Sequence, residues 1–145
     1  MSADGKAGET LVVRRFIPVP RQQVFAAWLD PASLAAWMRS GGTTDVTVEV
    51  DPRVGGKFRI VMAEGAEQYE HIGEYLVIEP PHRLSFTWIS QATEHRPTTV
   101  TVELFDGESG TELVLTHRQL PSSELEPHRR GWTDIVRELE GQLSV

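Results

Sequence analysis

Hydrophobic and polar positions change period twice along this chain. Residues 10–19 (TLVVRRFIPV) are rich in β-branched side chains and predict a strand, closed by Pro18 and Pro20, which lack the N–H a ladder needs. From Arg21 the spacing turns helical, with Val24, Phe25, Trp28 and Leu29 on one side. Asp30-Pro31 breaks that helix and starts a second short one over 33–38, with Asp30 placed to cap it and Gly41-Gly42 past its end. Six strands are then predicted, over 44–50, 57–63, 69–78, 83–89, 98–105 and 111–118. Gly-, Pro- and Asp-rich turns and the polar stretch 91–97 separate them, and the short links make them antiparallel neighbours. Leu84, Phe86 and Trp88 share one face; so do Val100, Val102 and Leu104, and so do Leu113, Leu115 and His117. Helical spacing returns over 122–143, where Trp132, Ile135, Val136, Leu139 and Leu143 form one stripe and His128 lies a turn ahead of Trp132. Ser123 and Glu126 have the spacing of a capping box for this helix.

A greasy-faced antiparallel sheet and one long amphipathic helix must bury each other. The expected class is α+β: a curved antiparallel sheet of about seven strands wrapped around the C-terminal helix, with two short helices after the first strand. Residues 10–145 form one domain and 1–9 a flexible tail. A strongly curved sheet does not close fully onto one helix, so a cavity between them is expected.

The length of 145 residues is one domain's worth and enough for a substantial core. There are no cysteines, which excludes disulfides, thiol nucleophiles and thiolate metal sites. The formal charge of −7 gives no basic face for nucleic acid. No apolar run approaches the roughly 20 residues that span a bilayer, and the polar N-terminus is no secretory signal, so a cytoplasmic protein without membrane contact is expected.

Five segments match a known superfamily in order: VFAAWLDPASLAAWM (24–38), VGGKFRIVM (54–62), HIGEYLVIEPPHRLSFTW (71–88), GTELVLTH (110–117) and HRRGWTDIVRELEGQL (128–143). The chain resembles the START-like helix-grip (SRPBCC) superfamily. Within it, the chain is similar to the homology-domain family named after activators of the heat-shock-protein-90 ATPase. The resemblance implies the helix-grip fold and a deep pocket. It brings no catalytic signature, and relatives range from lipid and polyketide binders to cyclase-like enzymes. The eukaryotic co-chaperone behind the family name has an N-terminal domain without a counterpart in these residues, which ranks a chaperone partner last.

Candidate chemistry centres on histidines and tryptophans. His117 from the sheet and His128 from the helix are placed to meet at the cavity; they either orient a polar ligand group or pack as a hydrogen-bonded pair at its rim. His71 lines the cavity if its face of the 69–78 strand looks inward, and Tyr75 would follow it; alternation leaves that face open. Trp88 and Trp132 lie on the presumed cavity faces, Phe58 is a third wall, and Trp37 is placed to line a mouth. Gly131, inside the last helix, suggests a close approach of helix to sheet that leaves space beside Trp132. The expected ligand set is therefore Trp37, Phe58, His71, Trp88, His117, His128 and Trp132, holding a small apolar or aromatic ligand. No catalytic residue, metal ligand or cofactor is assigned. An enzyme working on a polyketide-like substrate, with His117 or His128 as general base, is the alternative. Trp132→Ala is expected to weaken ligand binding far more than folding. A homodimer through an edge strand or the 91–97 stretch stays open.

Overall fold

The computed structural model describes residues 8–144. Its seven strands are β1 (Glu9–Ile17), β2 (Asp45–Val50), β3 (Lys57–Glu64), β4 (Glu67–Glu79), β5 (Arg83–Trp88), β6 (Thr98–Asp106) and β7 (Thr111–Leu120). Two short helices, α1 (Arg21–Ala27) and α2 (Pro31–Trp37), follow β1, and the long helix α3 (Leu125–Leu143) closes the fold. All strand pairings are antiparallel, in the order β1-β7-β6-β5-β4-β3-β2. This is the expected sheet gripping a C-terminal helix. Glu9, expected in the tail, starts β1 opposite Leu120, while residues 1–7 of that tail lie outside the described residues.

The core follows from the alternation. Leu84, Phe86 and Trp88 of β5, Val100, Val102 and Leu104 of β6 and Leu113 and Leu115 of β7 are all buried against Trp132, Ile135, Val136 and Leu139 of α3. Two side chains in the second half of the helix tie it to the rest of the fold. Arg15 of β1 pairs with Glu140 at 2.6 Å, and the Gly41 N–H donates to Asp134 Oδ2 at 3.0 Å.

Asp30 caps α2 as its sequence predicts: its Oδ2 accepts from the Ser33 N–H at 2.8 Å, with Pro31 in the first turn. Asp30→Ala is expected to lower stability by about 1 kcal/mol, read as a shifted urea midpoint with an unchanged slope.

The capping box expected at Ser123 and Glu126 does not form. Ser122–Glu124 is a 3-10 turn in which the Glu124 N–H donates to the Pro121 carbonyl, and α3 starts behind it with no side-chain cap. The backbone satisfies itself there, so Ser123 is left at the surface.

In β4 the face carrying Tyr69, His71, Gly73 and Tyr75 looks inward; Tyr75 is buried and His71 half-buried. Gly73 on this face is sterically required. A Cβ there would lie 2.0 Å from the Thr87 carbonyl oxygen and 2.5 Å from the Phe58 ring.

Candidate functional site

Between sheet and helix lies a cavity of about 320 Å³. Met62 of β3, Tyr69 and His71 of β4 and Trp88 of β5 form its sheet wall. Pro127, His128, Gly131, Trp132 and Ile135 of α3 form the opposite wall. Ser40 and Thr43, from the link between α2 and β2, and Ala92, from the 3-10 turn Gln91–Thr93, complete it, with Glu64 and Glu124 as its carboxylates.

His71, Trp88, His128 and Trp132 thus come together on one cavity. The two indoles have ring centroids 5.0 Å apart, and the His71 ring stacks on Trp88 at 4.7 Å. Trp37, Phe58 and His117 lie elsewhere, and each for a visible reason.

Trp37 is fully buried beneath α1. Its indole meets Trp28 edge-on at 4.7 Å and donates to the Ala27 carbonyl at 3.3 Å, so it belongs to the core and not to a mouth. Phe58 is packed edge-on against Phe86 at 5.4 Å and beside Tyr75 at 5.5 Å. It borders only a void of about 10 Å³, which is the room of about one water. Tyr75 shares that void and not the larger cavity, and burial, with Asp51 nearby, pushes its phenol up to about 12.

His117 meets His128 as expected, with ring centroids 5.2 Å apart, but it is a structural group behind the wall. The Trp132 indole N–H donates to its Nδ1 at 3.0 Å. Nδ1 therefore carries the lone pair and Nε2 the hydrogen. Nε2–H donates to Thr98 Oγ1 at 2.8 Å, and that hydroxyl donates onward to the Trp88 carbonyl at 2.6 Å. Helix α3 and strands β7, β6 and β5 are joined by this one relay. Burial, then the neighbouring His128, lowers the His117 pKa to about 3. With no free lone pair and no stable cationic form, His117 neither binds a ligand nor serves as a general base.

His71 and His128 are arranged differently. His71 Nδ1 donates to the Ile60 carbonyl at 3.3 Å. His128 Nδ1 faces the Glu124 carbonyl at 3.1 Å and the Glu124 carboxylate at 3.2 Å, both acceptors. Each ring thus spends its Nδ1–H on the protein, and in the neutral form Nε2 is an acceptor. Burial is the main cause lowering the His71 pKa to about 4, so that ring is neutral at ordinary pH. Among the described residues no group of three or more His, Cys, Asp or Glu could hold a metal ion. No helix among them is long and apolar enough to cross a membrane.

Gly131 follows one half of its sequence reading. Nothing lies within 4 Å of a Cβ built there, so the glycine opens space beside Trp132 on the cavity wall, without the close helix–sheet approach that was expected. Sequence reasoning also passed over Ser40, Thr43, Met62, Glu64, Tyr69, Ala92 and Glu124. His128 and Trp132 on the helical stripe, with the glycine between them, were the signals that marked this wall.

A curved antiparallel sheet closed around one long helix, with a cavity between, defines the helix-grip class of START-like proteins. The chain belongs to the family described as Activator of Hsp90 ATPase homolog 1-like protein, whose profile matches residues 18–144. No curated protein matches the sequence significantly. Among solved structures, a protein from Chromobacterium violaceum is similar over 94% of this chain and 99% of its own, with 24% identity and a TM-score of 0.82. One from Rhodobacter sphaeroides is 26% identical over 94% of this chain and 95% of its own, with a TM-score of 0.79. DynU16, described as a protein in the dynemicin biosynthetic locus, is 24% identical over 94% of this chain and 47% of its own, with a TM-score of 0.77.

Proposed function

We propose that this protein binds a small, mostly apolar or aromatic molecule in the cavity between sheet and helix. The observation that carries the reading is the cavity itself: about 320 Å³, within the size range of ligand sites, with Trp88 and Trp132 as walls and the acceptor nitrogens of His71 and His128 as polar points. Few convergent polar groups in an apolar hollow fix a ligand's orientation while burial of its body supplies affinity.

Gly131 gives the test. Its replacement by Leu removes a helix-interior glycine, which favours α3 by up to about 1 kcal/mol, and puts a side chain into the open space. Native mass spectrometry of gently purified protein is expected to show a small-molecule adduct that is lost on denaturation. Titrated 2-naphthalenemethanol should bind the wild type and fail to bind a folded Gly131→Leu. Equal binding to both, with a clean apo mass, would sink the cavity reading.

The Glu124–His128 pair favours a second reading. A carboxylate holding Nδ1–H in place leaves Nε2 as a positioned general base, the arrangement proton-transfer enzymes use. A polyketide-like substrate is the class to test in that reading, as the superfamily resemblance implies. In that reading turnover disappears in His128→Gln and survives in a folded His117→Gln; turnover that survives His128→Gln excludes it.

A further inference from the structure

The formal charge of the cavity is one-sided, beside the hydroxyls of Ser40, Thr43 and Tyr69, which donate or accept. In their neutral forms His71 and His128 offer Nε2 lone pairs, because each has given its Nδ1–H to the protein. Glu64 and Glu124 add carboxylates, and no Lys or Arg lines the wall. Neither does any line the adjoining groove of about 220 Å³, which shares Tyr69, His71 and Ala92 with the cavity and brings Glu70 instead. None of the ion pairs among the described residues involves Glu64. The apolar walls include the two indoles of Trp88 and Trp132.

We infer that the cavity selects a molecule carrying a protonated amine on an aromatic or apolar body and rejects carboxylates. An ammonium group has N–H donors and no acceptor, and every polar group described above is an acceptor for it. A carboxylate has acceptors only; beyond the neutral hydroxyls of Ser40, Thr43 and Tyr69 it would face imidazole lone pairs and two glutamates, with no guanidinium or ammonium to receive it. The inference rests on the reading of the cavity as a ligand site.

Three probes of one shape separate the charges: 2-naphthylmethylamine, 2-naphthalenemethanol and 2-naphthoate, titrated calorimetrically at pH 7.5 and low salt. The amine is expected to bind about tenfold tighter than the alcohol, and the naphthoate about tenfold weaker than the alcohol or not at all. Glu64→Gln changes an exposed residue at the end of β3 and keeps the fold. It should cut amine affinity several-fold and the alcohol's far less. An amine no tighter than the alcohol, a naphthoate as tight as the amine, or an amine advantage unmoved by Glu64→Gln overturns the inference while the alcohol's binding upholds the cavity. If none of the three binds, the cavity reading fails and the inference with it.

Discussion

Trp132→Ala should cost the fold about 4–8 kcal/mol, a large part of the roughly 5–15 kcal/mol that holds a domain this size together. Two losses combine. Removing a buried indole, only 2% exposed, leaves a core void worth about 3–5 kcal/mol. It also removes the only N–H that the His117 Nδ1 receives among the described residues, and an orphaned buried acceptor costs about 1–3 kcal/mol more. Trp132→Phe isolates the second loss, since it keeps most of the ring and still strands the imidazole. Urea unfolding of both variants measures the pair. A Trp132→Ala protein within 1 kcal/mol of wild type would show that the relay through His117 and Thr98 carries no weight. The same geometry overturns the expectation that truncating Trp132 separates binding from folding: the residue is both wall and keystone, which makes Gly131 the better handle on the cavity.

Acid should unfold this protein through two histidines. His71 and His117 have pKa values lowered to about 4 and about 3 in the folded state, mainly by burial. The unfolded chain takes up these protons near pH 6.5 and the folded chain does not. The contribution is therefore complete above pH 6.5 and is lost progressively as pH falls, until His71 protonates near 4 and His117 near 3. At pH 5 each costs about 2 kcal/mol, so about 4 kcal/mol separates pH 7.5 from pH 5. The physical cause at His117 is explicit, because a proton on Nδ1 would point at the Trp132 N–H. Urea midpoints between pH 7.5 and 5 should give a slope approaching two protons, and His71→Phe should remove about half of it. Stability flat over that range would contradict the neutral, buried state of both rings.

Much of the fold was legible because local chemistry agreed with it. The strands end where Pro, Gly and Asp fall, and Asp30-Pro31 starts α2 through a side-chain bond that spans three residues. What stayed hidden was non-local. Ile78 and Tyr75 both pack inward although an odd number of positions separates them, because the β4–β5 register shifts between Tyr75 and Val77. Alternation therefore could not carry the inward face from Ile78 back to His71. The inward direction of His117 followed from Leu113 and Leu115. Its role did not, since Thr98 and Trp132 supply its partners from 19 and 15 residues away. Gly131 stood out as a helix glycine, but a residue without a side chain marks a close approach and an open space alike, and only the facing wall tells them apart.

The pairing of β1 with β7 sets how this chain must come off a ribosome. Strand Glu9–Ile17 is synthesised before the other six strands described and its partner, Thr111–Leu120, after them. On its other flank β1 has no neighbour among the described strands, so it waits for β7 while the rest of the sheet is made. Contacts so distant in sequence slow folding, and an apolar strand left waiting invites pairing with another nascent chain. Arg14 and Arg15 interrupt the run LVVRRFI in the middle, where charge is most effective against such encounters. In the finished fold Arg15 turns to Glu140, so one residue answers to both stages.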